Sequence, residues 1–209
     1  MDITEHLKKI QFQKSHPIVF ISGMGGSGKT TFANKIVNQN NNAKHFELDW
    51  YLIHSSKERG KRIKDAFESG NEETINKEAN PINHYDYNSF KKDIKDFQES
   101  GKFSVKNVWN QKTGEKDANY SLDFNGQDGL IVCDGDYLLH SEIASLADLV
   151  ILLEVPFETA RKRAEQRDMH RSDTEHLARK KLIAQKYDTP YFAENRKNAT
   201  LVIASELPV

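Results

Sequence analysis

Three stretches of this chain are apolar without interruption: Ile18-Val19-Phe20-Ile21, Leu130-Ile131-Val132-Cys133 and Leu149 to Leu153. Runs of that length read as parallel strands buried on both faces. Thr200-Leu201-Val202-Ile203 predicts one more, and His45-Phe46-Glu47-Leu48 alternates like another strand. Between them the period changes. Ile3, Leu7 and Ile10 predict an amphipathic helix within residues 1–16, before Pro17 opens the first strand. Phe32, Ile36 and Val37 predict a second helix over Thr31 to Val37, which the Asn38 to Asn42 run ends. Phe90, Ile94 and Phe97 predict a helix from about Tyr87 to Ser100, stopped by Gly101.

From Ser55 to Pro81 the chain is strongly charged, with Ile63, Phe67 and Ile75 as apolar anchors, which predicts two peripheral helices. Phe103 to Trp109 and Tyr120 to Phe124 bracket a Lys112-Thr113-Gly114 turn and predict an antiparallel flap. Pro156 opens a helix running to Asp168. Ser172 with Glu175 reads as a capping box before a helix reaching about Tyr187. Strands alternating with helices imply a doubly wound α/β fold with a parallel sheet of about five strands. We expect one domain over 1–209, with a substrate-side insertion and flap at about 55–125 and a lid region at about 156–190.

Composition narrows the partners. With 209 residues and a formal net charge of −1 the chain has no basic bias, so nucleic acid is not expected. The single cysteine, Cys133, lies in an apolar run and excludes a disulfide framework within the chain. Residues 1–10 lack the apolar core of a signal peptide, and no run is long enough to span a bilayer. A cytoplasmic protein without a membrane partner is expected. Assembly into a homo-oligomer is left open.

The chemistry starts after the first strand, at Gly23-Met24-Gly25-Gly26-Ser27-Gly28-Lys29-Thr30. A polyphosphate needs a ring of backbone N–H donors, and glycines let the backbone close around it. Lys29 adds a cation for the outer phosphates, Thr30 offers a hydroxyl to Mg²⁺, and the helix that carries Thr31 points its positive end at the anion. The fold class is therefore that of a P-loop NTPase, with ATP and Mg²⁺ as the expected cofactors.

In an open parallel sheet, ligands bind beyond the carboxyl ends of the strands. Asp49 follows the second strand there. It is suited to accept a proton from a substrate hydroxyl or to hold a metal-bound water, although an aspartate after a strand also serves as a turn or cap residue. Asp134 ends the third strand and is placed to orient the Mg²⁺ shell beside Thr30, with Asp136 competing for that task. Arg163, Arg167 and Arg171, spaced by four, would share one side of a continuous helix as a lid over the transferring phosphoryl group. Glu165 and Asp168 offer the alternative of a solvated charged face. His84-Tyr85-Asp86 makes a polar and aromatic cluster for a small polar substrate, and the histidines show no spacing for a transition metal.

With these residues in place, the chain resembles the uridine kinase and phosphoribulokinase group of P-loop kinases, and is similar to the pantothenate and nicotinamide riboside kinases, from about Pro17 to Ile203. The resemblance implies a catalytic base at Asp49, in Asp49-Trp50-Tyr51, and a Mg²⁺ role for Asp134, in Cys133-Asp134-Gly135. It implies an arginine lid over Thr159 to Asp168. Departures fall where the substrate is chosen. Asn83-His84-Tyr85-Asp86-Tyr87 replaces the Asn-Phe-Asp-His-Pro type segment of uridine kinases, Thr113-Gly114 stands where their base-binding histidine is expected, and Trp109 stands near their base-stacking tyrosine.

The expected activity is thus transfer of the γ-phosphate of ATP to a hydroxyl of a small molecule. Tyr51, Tyr85, Asp86, Trp109 and Arg171 are expected near the acceptor, and Lys29, Arg163 and Arg167 are expected to stabilise charge. Uridine or cytidine is the acceptor that the resemblance implies. Pantothenate, a sugar or sugar phosphate, nicotinamide riboside or an antibiotic are the rivals, and a nucleotide-dependent switch or assembly ATPase is the rival of another class.

Overall fold

The computed structural model describes residues 3–168 and 174–204. Its centre is a five-stranded, wholly parallel sheet in the order β2-β5-β1-β6-β7. The strands are β1 (Ile18–Ser22), β2 (Ala43–Glu47), β5 (Leu130–Asp134), β6 (Leu149–Glu154) and β7 (Leu201–Ala204). Apolar continuity tracks position: every residue of β1 and β5 is buried and only the last of β6 is not, because these three lie inside the sheet. The edge strands β2 and β7 keep exposed or half-buried positions. The expected doubly wound α/β sheet is the one found.

Two cores flank the sheet. On one face α1 (Ile3–Gln13) and α2 (Lys29–Asn38) cover Val19, Ile21, Val132 and Ile151 through Leu7, Ala33 and Ile36. On the other face α5 (Tyr87–Ser100) lays Phe90, Ile94 and Phe97 over Phe20, Phe46 and Cys133. The antiparallel pair β3 (Lys102–Val108) and β4 (Ala118–Asp123) closes the same core with Phe103, Val105 and Leu122. α5 has the predicted limits: Asp86 caps it by accepting from the Ser89 N–H at 3.0 Å, and Gly101 ends it at φ 70°. The charged stretch forms α3 (Ser56–Ser69) and α4 (Glu72–Ala79), capped by Ser55 and Asn71.

Three elements differ from expectation. β2 stops at Glu47, and Leu48–Tyr51 coils into a 3₁₀ turn, since Leu48 tucks against Gly135, where an added Cβ would lie 2.5 Å from that of Leu48. α6 (Ser141–Ala144) is one turn, too short for a periodic signal. The lid region has α7 (Phe157–Asp168) and α8 (Thr174–Ile183), and then, in place of a helix ending near Tyr187, a π turn over Ala184–Asp188 that leads into α9 (Thr189–Asn195). Ser172 and its expected capping box lie outside the described residues.

Candidate active site

The loop between β1 and α2 is shaped by its glycines. Gly28 at φ 92° caps α2, and Gly26 at φ 89° meets α7 so closely that a Cβ there would sit 2.1 Å from the Ala160 carbonyl oxygen. α7 therefore rests on the phosphate loop. Lys29 is 8% exposed, and its Nζ donates to the Met24 carbonyl at 3.1 Å and meets Asp136 Oδ1 at 2.5 Å. Ser22 Oγ donates to the Asp136 carbonyl at 2.8 Å, tying β1 to the turn after β5. Ser27 Oγ is buried with no partner among the described residues. In a loop built for phosphate, that hydroxyl is a donor in waiting.

At the end of β5, Asp134 uses both carboxylate oxygens. Thr30 Oγ1 donates to Oδ2 at 2.9 Å, and His45 Nε2 meets Oδ1 at 2.6 Å. Glu47 lies across from Asp134 in the strand register, and the ligand atoms of His45, Glu47 and Asp134 fall within 4.8 Å of one another. Burial and then the neighbouring Asp134 push the Glu47 carboxyl up to about 7. Asp49 sits in the 3₁₀ turn after β2, where burial and then the charge of Asp136 raise its carboxyl to about 6. Tyr85 Oη donates to Asp49 Oδ1 at 3.0 Å and pulls the other way.

A cleft of about 320 Å³ connects Asp49 with the phosphate loop. Met24, Gly25, Asp49, Tyr85, Asp136 and Arg167 line it, and Arg59, His84 and Leu52 extend it toward α3. A second hollow of about 430 Å³ lies on the other side of Met24, between Val155, Pro156, Phe192 and Arg196. One cleft therefore reaches from the phosphate loop to Asp49, while the more apolar hollow flanks the loop.

Not every expected residue reaches the cleft. Tyr51 is buried, and its hydroxyl donates to Asp93 in the core at 2.9 Å. Asp86 is the cap of α5 and accepts from Ser89, and Trp109 donates its indole N–H to Ser56 Oγ at 3.2 Å. These three polar groups are spent on the fold. On α7, Arg167 lines the cleft together with Arg161 and Glu165, whereas Arg163 is half-buried and outside that lining. Arg161 pairs with Glu158 and Glu165. Arg171 lies outside the described residues. Thr31 is exposed in the first turn of α2.

Sequence reasoning missed His45, Glu47, Arg59, Arg161 and Asp188. His45 and Glu47 are two apart on a strand and so share a face, a signal that was available. Asp188, raised to about 6 by burial, accepts from Tyr137 Oη and comes from the π turn, which no periodicity marks.

The family model described as the NB-ARC domain matches residues 2–116, over half the chain. The chain belongs to this family of P-loop NTPases. The matched span ends within the flap, so β5, β6 and the lid lie beyond it. A uridine kinase of Ureaplasma urealyticum is 28% identical over 167 residues, covering 75% of this chain and 71% of the relative. Among solved structures, a putative fructose transport system kinase from Silicibacter superposes with a TM-score of 0.67 at 18% identity, covering 96% of this chain and 97% of the other. Phosphoribulokinase from Rhodobacter spheroides gives 0.63 at 16% identity, covering 87% and 68%. The resemblance to the uridine kinase and phosphoribulokinase group is borne out, and with it the expectation of a kinase. Among the described residues no helix is long and apolar enough to cross a membrane.

Proposed function

We infer that this chain is an ATP- and Mg²⁺-dependent kinase that phosphorylates a hydroxyl of a small metabolite. The observation that carries this reading is the cleft in which Asp49, raised to about 6 and hydrogen-bonded to Tyr85, faces Met24 and Gly25 of the phosphate loop. A carboxylate with a pKa near neutrality accepts a proton at physiological pH without being too weak a base. Asp49 takes the proton of the acceptor hydroxyl as its oxygen bonds to the γ-phosphorus, and the bond to the β-phosphate bridging oxygen breaks with its electron pair leaving on ADP. Tyr85 fixes which carboxylate oxygen is free for the proton.

Lys29 binds the phosphates by exchanging its Asp136 contact for their oxygens. Gly23 to Thr31 supply the N–H cradle, and Arg167 neutralises charge from α7. Thr30 and Asp134 would hold Mg²⁺: both are hard oxygen donors, already 2.9 Å apart at the loop, and the His45 contact fixes the carboxylate plane. Bound there, Mg²⁺ neutralises phosphate charge. The hollow lined by Val155, Pro156 and Phe192 suits the apolar face of a nucleobase.

An ADP-release screen with Mg-ATP against nucleosides, pantothenate, sugars and sugar phosphates tests this reading. Release that depends on one acceptor is expected. Turnover that ignores every acceptor and rises with a protein partner would overturn it in favour of a switch or assembly ATPase, the reading compatible with the NTPase family match.

A further inference from the structure

The acceptor half of the cleft contains a guanidinium nitrogen with no hydrogen-bond partner among the described residues. Arg59 lies in the first turn of α3 and lines the same cleft as Asp49, His84 and Tyr85. Its Nη1 is buried without a hydrogen-bond partner among the described residues. The contrast with its neighbour is instructive. Arg62, one turn further along α3, forks onto Glu78 through Nε and Nη2 at 2.8 and 2.9 Å and so engages both oxygens of that carboxylate. Asp49, which lines the same cleft, takes its hydrogen bond from Tyr85; the Arg59 charge acts on it at longer range, lowering its carboxyl against the larger effect of burial.

The remaining wall sharpens the chemistry. His84 Nε2 lies 2.8 Å from the Glu78 carbonyl, which can only accept, so Nε2 carries the proton. Burial holds the His84 ring neutral, which leaves Nδ1 as an acceptor. Leu52, Ile63, Ala79 and Pro81 make the adjoining surface apolar. Arg59 therefore shares its part of the cleft lining with Asp49, an acceptor nitrogen and hydrocarbon, while Arg161, Arg167, Lys180 and Lys181 line the cleft from α7 and α8. A buried guanidinium nitrogen without a partner is rare and demands an explanation, and its planar fork matches a carboxylate or phosphate better than any neutral group.

We propose that Arg59 anchors an anionic group of the phosphate acceptor, so that the substrate is a hydroxy acid or a sugar phosphate and not a neutral nucleoside. This rests on the kinase reading above, with the acceptor hydroxyl directed at Asp49. A nucleoside would leave Arg59 Nη1 without an anionic partner, whereas an acid or phosphate monoester supplies one and fixes the distance of the hydroxyl from the base.

The test uses matched pairs: D-glycerate against glycerol for a carboxylate, ribose 5-phosphate against ribose for a phosphate, with uridine and cytidine as neutral nucleosides. Each is assayed by Mg-ATP-dependent ADP release. Each is also titrated calorimetrically into enzyme saturated with Mg²⁺ and a non-hydrolysable ATP analogue. The expected result is preference for an anionic member over its neutral counterpart. In the Arg59→Met variant the acceptor KM, or its Kd in the titration, should rise about 10²-fold. The KM for ATP should stay unchanged, and Arg59→Lys should recover part of the loss. Equal binding of anionic and neutral members, or nucleoside phosphorylation that Arg59→Met leaves intact, overturns the assignment while the kinase reading stands. ADP release that no acceptor alters overturns both.

Discussion

Replacing Asp49 by asparagine should stabilise the nucleotide-free protein while slowing its turnover by about 10²-fold or more. Burial and the nearby Asp136 raise this carboxyl from its ordinary 3.8 to about 6. An acid whose folded pKa is raised binds its proton more tightly when folded, so stability is lost as pH climbs through the window from 3.8 to about 6, and stays lost above it. At about 1.36 kcal/mol per pH unit, the rise corresponds to about 3 kcal/mol. The side chain borders an open cleft, whose water screens part of that, which leaves about 2 kcal/mol. Asparagine removes the charge and keeps an oxygen to accept from Tyr85. Urea denaturation should therefore find Asp49→Asn more stable than wild type by about 2 kcal/mol at pH 8, or about 4–8 °C in Tm for a chain of this size. At pH 4 the two should be nearly equal, and turnover should fall by about 10²-fold or more throughout. Equal stability at both pH values would show that the carboxylate is well solvated and refute the argument for a tuned base.

Four further outcomes follow from the same contacts. Since Asp49 must be ionised to accept a proton, kcat/KM for the acceptor should fall about tenfold per pH unit below about pH 6. In Tyr85→Phe, which loses the bond holding that pKa down, the falling limb should move up by about one pH unit; an unmoved limb would assign it to another group. Gly26→Ala puts a Cβ 2.1 Å from the Ala160 carbonyl at φ 89°, so denaturation should show a loss of about 2 kcal/mol and calorimetry a weaker ATP affinity; wild-type values for both would mean that α7 does not rest on the loop. His45→Ala frees Asp134 Oδ1, and the Mg²⁺ concentration giving half-maximal turnover should rise about tenfold; no change would make the His45 contact incidental.

The sheet was legible because β1, β5 and β6 are buried on both faces, and nothing but an interior parallel strand tolerates such runs. The phosphate loop was legible because its backbone conformation restricts the residues that can form it, as the φ of Gly26 and Gly28 demonstrates. The lid arginines were harder. A spacing of four says that residues share a side of a helix, but tertiary packing decides which side turns inward; Arg161 and Arg167 line the cleft while Arg163 does not. Trp109, Tyr51 and Asp86 misled for a related reason: an aromatic or acidic residue near a motif serves the fold as readily as a ligand, and each has its polar atom committed within the protein. Arg59 left no pattern at all, since its meaning depends on a partner it lacks.

The carboxylates of the rim are set by strand register more than by local chemistry. Ile21 pairs with Asp134, and Glu47 pairs with Asp134 from the other side, so the ends of β1, β5 and β2 stand side by side at the usual interstrand spacing of about 4.8 Å. Asp49 and Asp136 follow from the turns that leave those ends. Two of these acids, Glu47 and Asp49, are held at about 7 and about 6, which is unfavourable to the empty fold at neutral pH. The apolar strands hold them there regardless. A slip of one residue in β5 would take Asp134 out of register with Ile21 and Glu47, so the register that fixes the sheet also fixes the acids. Their repulsion is then available to be relieved by cations: Lys29 already meets Asp136, and Thr30 and Asp134, bonded to each other, are the pair proposed above to hold Mg²⁺.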